Sequence, residues 1–372
     1  MKLSRIQTSS AGCDLFHLVA QEISGRGMKK LCCFSMLVGF IAAATVLRAE
    51  TDQNALVVTA TNAATNNQLL VYSPRGTLIQ TVATQGQGGA GNNSGGIEAK
   101  GNLVAVVNFG SRSAAIFERG NNGLQMKELI PTVSSPVSVA FGGNHLYILG
   151  TTSVESHRVH GPNVEPNLDG VVTLLHADGS SAQVGVVQNQ LIVTEKSNVI
   201  ETINLLSDGA VSGVPSLVQN IPTNVDTPFG LVTRGNNAYV TIAHADEISL
   251  VRNGEVLTTT PTSSFPGPVQ HAPCWLTLVG SFMYSSNSPS MTVSRYVVYG
   301  QKIVPDKAVA ASFNGNPTDI ASGEGLVAVI DGNTTVSHLS IFRVNDDGNL
   351  TLQSAATIAG AANGVAVVRG ED

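Results

Sequence analysis

The stretch Gln270–Leu276 (QHAPCWL) holds three side chains with chemical potential, His271, Cys274 and Trp275. A cysteine thiolate beside an imidazole can act as a nucleophile, provided that a cation or a helix N-terminus lowers the pKa of the thiol. In an extended segment, residues three apart point to opposite sides, so His271 and Cys274 need not meet. We therefore expect Cys274 to pack as a small apolar residue. Trp275, the only tryptophan, fits either packing or a flat surface for stacking a sugar-like ligand.

Glu195 is the carboxylate best placed for acid–base work. It directly follows the strand-like run 191–194 (LIVT), and partial burial there would raise its pKa towards the range that proton transfer requires. Lys196 follows it at once and could simply pair with it. If the protein is an enzyme, we expect Glu195 to be the acid–base residue, with His244 or His271 assisting.

Two other patterns lack the context that their chemistry needs. Residues 86–91 match the dinucleotide-binding pattern G-x-G-x-x-G, but no helix follows them and no βαβ unit surrounds them. Glu155, His157 and His160 resemble a metal-ligand set, but in a strand the two histidines would face opposite sides. We therefore expect neither a cofactor nor a metal.

A repeat organises the chain. Segments such as SPVSVAFGGNHLYIL, TPFGLVTRGNNAYVT and APCWLTLVGSFMYS share a loop ending in a small residue or proline, a short apolar strand, a Gly/Asn turn and a second apolar strand. The pattern recurs every 42–46 residues. Its leading positions are Ser94, Pro136, Ala182, Pro228, Pro273, Pro317 and Ala362.

A second marker repeats out of phase with the first. X-Gly pairs are suited to hairpin turns because glycine accepts positive φ. They occur at Arg75-Gly76, Asn122-Gly123, Asp169-Gly170, Asp208-Gly209, Asn253-Gly254, Tyr299-Gly300 and Asp347-Gly348.

Seven units of about 45 residues with four short strands each predict an all-β, seven-bladed β-propeller. The last unit has room for one strand only, and the first segment lacks its first strand. The C-terminal strand should therefore complete the N-terminal blade and close the ring. The composition agrees, with 38 glycines and only 12% charged residues.

The predicted topology brings polar residues to one face. If the strands of a blade are A to D from the channel outwards, the D–A and B–C loops share the channel mouth. The residue pair after each leading position then rims the channel, and Cys274-Trp275 is one of seven such pairs. Candidate catalytic residues at this mouth are Glu195, His244 and His271. Candidate ligand-binding residues are Asn108, Lys196, Cys274, Trp275, Asp319 and Asp331.

The N-terminus is typical of a targeting signal. Met28-Lys29-Lys30, the apolar run 31–47 and Ala49 as a cleavage point describe a secretory signal peptide, with an uncleaved membrane anchor as the alternative. Residues 1–27 would be an upstream extension or a mis-assigned start, 28–49 the signal, and 50–372 one propeller domain. We expect a secreted, extracellular monomer that is free of the membrane once the signal is cleaved.

The charge and the cysteines of the mature part fit this location. The first 49 residues hold six basic and two acidic residues, which leaves 14 basic and 24 acidic ones and a net charge of −10. Nucleic acid is therefore not an expected partner. Cys274 alone remains, so no internal disulfide is available. Sequons for N-glycosylation lie at Asn92, Asn333 and Asn349.

The chain resembles the lactonase-like propellers over about residues 54–370. The similar segments are LIVTEKSNVIETINL, TPFGLV, HAPCWLTLVGSFMYSSN and AANGVAVV. That superfamily includes 6-phosphogluconolactonase and 3-carboxy-cis,cis-muconate cyclase, and the segments resemble most its secreted, poorly characterised branch. The resemblance implies a cofactor-independent site of His, Arg and Glu at the channel mouth.

The sequence departs from that pattern where the chemistry would be. Its leading prolines are followed by Val-Ser, Phe-Gly, Cys-Trp and Thr-Asp, without the Arg-His pairs of the family, and only Glu195 matches the family's strand-end glutamate. We therefore expect a secreted propeller that binds a small or carbohydrate-like ligand at the mouth. The alternatives are a lactone hydrolase or muconate cycloisomerase using Glu195, and an extracellular interaction scaffold or antigen.

Overall fold

The computed structural model describes residues 54–222 and 227–370. Within them the chain is all-β, with 29 strands and two short 3₁₀ helices, Ala243–Ala245 and Thr262–Ser264. None of the described helices is long and apolar enough to cross a membrane. The predicted extension 1–27 and signal 28–49 lie outside the described residues, so the expectations about them remain predictions.

The strands are short and follow one another closely along the chain. In chain order they are β1 Leu56–Ala60, β2 Gln68–Tyr72, β3 Leu78–Ala83, β4 Ile97–Lys100, β5 Leu103–Asn108, β6 Ser113–Gly120, β7 Gly123–Pro131, β8 Pro136–Gly142, β9 His145–Gly150, β10 Ser153–His160, β11 Asn163–Val164, β12 Gly170–Thr173, β13 Ser181–Val187, β14 Gln190–Glu195, β15 Val199–Asn204, β16 Ser216–Leu217, β17 Pro228–Arg234, β18 Asn237–Ile242, β19 Glu247–Arg252, β20 Glu255–Pro261, β21 Pro273–Val279, β22 Phe282–Asn287, β23 Thr292–Tyr299, β24 Lys302–Ser312, β25 Asn316–Gly323, β26 Leu326–Gly332, β27 Val336–Val344, β28 Leu350–Ala359 and β29 Asn363–Val368.

The strands form seven antiparallel sheets, the blades of a propeller. Blade 1 has the order β29-β1-β2-β3, and blade 2 is β4 to β7. Blade 3 is β8-β9-β10-β11 with β12 also paired to β10, and blades 4 to 7 are the four successive groups from β13 to β28. The predicted fold is confirmed, because each blade has four principal antiparallel strands, which pair in sequence order in blades 2 to 7.

The last strand closes the ring as predicted. Strand β29 pairs antiparallel with β1, with Val57 opposite Val367 and Val58 opposite Ala366. The innermost strand of blade 1 thus comes from the C-terminus, while its other three strands come from the N-terminus. This pairing locks the two ends of the propeller together through backbone hydrogen bonds.

Two details of the predicted repeat were wrong. The leading position of blade 4 is Ser181 and not Ala182. Ser181 pairs with the last residue of strand B, as Pro136 and Pro273 do in their blades. The predicted register of blade 4 was therefore one residue late. Asp169-Gly170 is not a hairpin turn, because Gly170 opens β12 while β10 turns into β11 after His160.

A β-bulge recurs near the start of strand A in blades 3 to 7, where two residues of A face one of B. Threonines near the end of strand B bond to backbone carbonyls at the bulge of the next blade. Thr194 Oγ1 donates to Phe229 O at 2.5 Å, and Thr241 Oγ1 donates to Cys274 O at 3.0 Å. These bonds connect neighbouring blades at the mouth end of the inner strands.

Thr194→Val should test this connection. The change keeps the β-branched shape, but it removes the donor to Phe229 O in a fully buried place. We expect the free energy of unfolding to fall by about 1–3 kcal/mol, because a buried acceptor is left unpaired. Denaturant titration would measure it, with Thr258→Val on exposed β20 as the matched control. Equal stability of the two variants would contradict the role of Thr194.

Candidate functional site

The inner strands of the seven blades enclose a central channel. It contains a cavity of about 450 Å³ that runs from beneath the mouth towards the A–B turns on the opposite face. Near the mouth it is lined by Ser94 and Gly95, and at the far end by Gly142, Thr233 and Ser322. The last three lie within one residue of the end of their strands, so the cavity extends nearly the full length of the inner strands.

The D–A loop between β3 and β4, residues 84–96, lies across the channel mouth; we call it the plug loop. Asn93 is buried and makes bonds to three blades. Its Nδ2 donates to Val137 O of blade 3 at 2.6 Å, and its backbone carbonyl accepts from Trp275 Nε1 of blade 6 at 3.1 Å. Its side chain also bonds to Asn363 of blade 1 at 2.9 Å.

Further bonds hold the plug loop to other blades. Ser94 N donates to Ala182 O at 3.1 Å, and Lys196 Nζ donates to Asn92 O at 2.9 Å, both in blade 4. Asn62 of blade 1 accepts from the backbone of residues 89 and 90. A segment bonded to blades 1, 3, 4 and 6 must cross the channel axis. The mouth that was predicted to present a ligand site is therefore covered.

Trp275 belongs to this closure. Its side chain is 7% exposed and makes an edge contact with Phe229, with ring centroids 5.2 Å apart and planes at 86°. Its indole N–H is occupied by Asn93 O. The ring therefore packs under the plug loop and does not present an open stacking surface.

Cys274 and His271 do not form a pair. The Cys274 thiol donates to Ala272 O at 3.2 Å, and burial raises its pKa to about 12. His271 is exposed, and its Nδ1 lies 2.7 Å from Asp246 Oδ2. A thiol with a raised pKa is a poor nucleophile at neutral pH. The interpretation of Cys274 as a packing residue agrees with this geometry.

Glu195 lies between blades, not in the channel. Strand pairing puts it on the same face of blade 4 as Glu201, with the two carboxyl groups adjacent. Glu195 Oε2 accepts from Ser180 Oγ at 3.4 Å. Glu201 Oε1 accepts from the backbone N–H groups of Leu175 and His176 in the chain between blades 3 and 4.

The environment of Glu195 favours its protonated form. Complete burial and the neighbouring Glu201 carboxyl both raise its pKa well above the usual range of a glutamate. A protonated Glu195 can donate to Glu201, so two acidic groups can share one buried position. Among the described residues, no histidine or arginine is recorded as a hydrogen-bond partner of Glu195.

The other predicted mouth residues hold loops in place. Asn108 is fully buried, and its Oδ1 accepts from Thr84 Oγ1, at the start of the plug loop, at 2.7 Å. Asp331 is buried and accepts from Gly315 N at 3.1 Å, with His338 Nδ1 at 3.4 Å. His244 is exposed on blade 5, with Nδ1 3.2 Å from Thr227 Oγ1.

Of the nine residues predicted for catalysis or binding, Asp319 alone lines the cavity. Sequence analysis missed Glu98 and Gln183, which line it too. Glu98 stands one position inside a short strand that was counted only as core. Gln183 was placed in one of the seven rim pairs but was not named as a candidate. The alternation of polar residues along the predicted inner strands was the signal that could have found them.

Three cavity residues tie neighbouring inner strands together. Glu98 Oε2 accepts from Phe141 N at 2.9 Å, and Gln183 Oε1 accepts from Leu231 N at 2.6 Å. Asp319 accepts from the backbone of Ile320 and of Val365. In each case a side chain of one blade satisfies an inward-facing N–H of the next. Burial raises the pKa of Glu98 and of Asp319 to about 7.

The two histidines of blade 3 diverge as expected. His157 is fully buried, with Nδ1 3.0 Å from Glu165 O and Nε2 3.3 Å from Glu155 Oε1. His160 is exposed and lies 3.1 Å from Glu165 Oε1. Among the described residues, no group of three or more His, Cys, Asp or Glu side chains is arranged to hold a metal ion.

The three sequons differ in their surroundings. Asn92 is exposed on the plug loop, and Asn333 is exposed at the turn before β27. The Asn349 side chain bonds to Asp347, Arg295 and Lys307. If the chain passes through a glycosylating pathway, Asn92 and Asn333 are therefore the more accessible acceptors.

Comparison with known proteins supports the fold. No protein-family model matches the chain, and no curated protein matches it. A functionally unknown protein from Desulfotomaculum acetoxidans superposes with a TM-score of 0.63 at 11% identity, covering 86% of this chain and all of its own. Candidate 6-phosphogluconolactonases from Bacteroides uniformis and Bacteroides fragilis give TM-scores of 0.58 and 0.55 at 15% and 12% identity, over 84% and 83% of this chain and 99% of each of theirs.

The chain is therefore a seven-bladed β-propeller that is structurally similar to lactonase-like propellers. The identities are low, so the likeness extends to the fold alone. The resemblance stated from the sequence is supported at this level.

Lys196→Met should loosen the plug loop. The change keeps the aliphatic stem but removes the bonds from Nζ to Asn92 O and Ser181 O. We expect a loss of about 1 kcal/mol in stability, because the group is only partly buried. Acrylamide quenching of the single tryptophan, Trp275, should increase. Lys127→Met, which removes a surface ion pair on β7, is the control. Equal quenching of both variants would contradict the restraint.

Glu195→Gln should change how stability depends on pH. In the folded state Glu195 keeps its proton at a pH where the unfolded chain has lost it, so stability falls as pH rises above the ordinary carboxyl pKa of about 4.3. The amide that replaces the carboxyl stays neutral and can still donate to Glu201. The variant should therefore have a flatter profile of melting temperature between pH 5 and 8.5, and should exceed the wild type at the upper end.

The control for this experiment is Glu255→Gln at an exposed position of β20. It should leave the slope of melting temperature against pH unchanged. A wild-type profile that rises between pH 5 and 8.5, or a Glu195→Gln profile as steep as that of the wild type, would contradict a buried proton at Glu195.

Proposed function

We propose that this propeller binds a small, hydroxyl-rich ligand inside its central channel and does not process lactones. The observation that supports it is a polar cavity of about 450 Å³ behind a covered mouth. This volume lies in the range of small-ligand sites. The sequence analysis predicted a ligand site at the rim of the channel, whereas the site proposed here lies inside the channel.

The cavity wall offers donors and acceptors suited to hydroxyl groups. Thr277 Oγ1 donates to Ser322 Oγ at 2.7 Å, and the second of these hydroxyls donates to Leu278 O. Gln183 and Thr233 also line the cavity. Convergent polar groups on rigid strands fix the orientation of a small ligand.

The same wall disfavours the lactones that the resemblance implies. A phosphogluconolactone or a carboxymuconolactone carries negative charge. None of the 22 cavity-lining residues is Lys, Arg or His, while two are acidic. An anion would lose its hydration there without gaining a positive partner. Glu195, the expected acid–base residue, lies between blades with Glu201.

We also propose that the protein works outside the cell as a monomer. The support for export is the signal-like segment 28–49. A ring closed by strand pairing needs no disulfide, so the single thiol of the described part is compatible with export.

Ligand binding in the channel can be tested by thermal stabilisation with a panel of neutral monosaccharides and polyols. A ligand at 100 times its dissociation constant adds about 2.7 kcal/mol of stability. We expect at least one neutral sugar to raise the melting temperature. Thr233→Phe, which adds bulk at the far end of the cavity, should abolish the shift.

Thr258→Phe on an exposed strand is the matched control and should keep the shift. Glucono-1,5-lactone and a carboxymuconolactone should show no turnover above the buffer rate. Turnover that is abolished by Glu195→Gln would contradict the proposal, and so would a panel in which no compound stabilises the protein.

A further inference from the structure

The cavity combines acidic groups with a lack of basic ones. Glu98 comes from blade 2 and Asp319 from blade 7, so the two carboxyl groups lie on separate inner strands. The remaining lining residues are neutral. Lys100, two residues beyond Glu98, weakens the effect of burial on Glu98, but its Nζ is bonded to Gly143 O and it does not line the cavity.

The structural role of these two residues does not require a charge. Glu98 and Asp319 accept backbone N–H groups of the next blade. Gln183 performs the same task with an amide, and Ser138 Oγ accepts from Val184 N with a hydroxyl. A neutral side chain is therefore sufficient as a tether between inner strands. An ionisable carboxyl group in this place costs free energy because its charged form is poorly hydrated. The tether alone therefore does not explain why a carboxyl group stands there and not a neutral side chain.

The carboxyl groups retain capacity for a further partner. Glu98 uses Oε2 for Phe141 N, and the described residues donate no hydrogen bond to its Oε1. A buried carboxylate gains most from a partner that brings both a positive charge and hydrogen-bond donors, since such bonds are stronger than neutral ones. An ammonium group has three donors and no acceptor, which complements an acceptor-only carboxylate.

We propose that the channel selects a small hydroxylated cation, of the class of amino sugars, whose ammonium group is attracted by the carboxyl groups of Glu98 and Asp319 in the cavity wall. The inference rests on the proposed binding function and specifies its ligand class. The hydroxyl groups of the ligand meet the Thr277, Ser322 and Gln183 side chains, and its positive charge meets the two acids. Neutral sugars bind more weakly, and anionic sugars are excluded.

The test compares three hexoses of nearly equal shape, which are glucosamine, glucose and glucuronate. Isothermal titration at pH 7 should give an affinity for glucosamine at least tenfold higher than for glucose, and no binding of glucuronate. At pH 5 the glucosamine affinity should fall. Both carboxyl groups have pKa values of about 7 in the empty channel, so each must then release a proton before it can pair.

Glu98→Gln and Asp319→Asn keep the size of the side chain and an acceptor for the tether. Each should reduce the glucosamine affinity about tenfold and the glucose affinity by a much smaller factor. Glu255→Gln at the exposed start of β20 is the control and should change neither. Melting temperatures of the variants verify that the ring remains folded.

The outcomes separate the two proposals. Equal affinities for glucosamine and glucose, or binding of glucuronate, would overturn the selection of a cation while leaving the binding function in place. Loss of glucose binding together with glucosamine binding in Glu98→Gln and Asp319→Asn would also overturn it. If none of the three sugars and no member of the neutral panel binds, both proposals fail.

Discussion

The antiparallel pairing of β1 with β29 is the constraint on which the rest of the structure depends. Each blade buries its apolar faces against two neighbours, so a ring with one open gap would leave two such faces exposed to water. Residues of β29 contribute to the packing on both sides of blade 1. In a described part that has no disulfide, this strand fixes the diameter of the ring. The diameter in turn determines how closely the inner strands approach and how wide the channel is.

The same constraint explains why inner-strand polar groups are bonded between blades. Strands A of neighbouring blades converge at the axis, but they do not form a common sheet. Their inward-facing N–H groups therefore need acceptors from elsewhere. Glu98, Gln183 and Ser138 supply them from side chains, and Thr194 and Thr241 satisfy the carbonyl groups at the bulges. Closure of the ring therefore explains why polar side chains lie in the channel, because they bond to the backbone of the next blade. It does not explain why two of these side chains are ionisable, and that property requires a functional explanation.

The fold could be predicted from sequence because two independent markers repeat with the period of a blade. The leading prolines and the X-Gly turns reflect local backbone requirements, which a single sequence displays directly. The register of blade 4 could not be predicted as reliably, because Ser181 and Ala182 are both small and no proline marks the strand start there. Blade 3 has an additional strand, β12, which begins at Gly170. The pair Asp169-Gly170 therefore leads into this strand and does not form the hairpin turn that its sequence predicted.

The candidate site was less predictable because it depends on a long loop. Topology predicted which loops meet at the mouth, but it gave no indication that residues 84–96 would cross it. That path rests on bonds between residues far apart in sequence, such as Asn93 with Trp275 and Lys196 with Asn92. A glycine-rich segment has few side chains that reveal its course. Once it covers Trp275, the residues that matter are those that line the cavity below it, where Glu98 and Asp319 are the charged side chains. The choice between a cationic ligand and a lactone therefore depends on the residues that line the channel and not on those at its rim. The lining has two acidic residues and no basic one, which favours a cationic ligand.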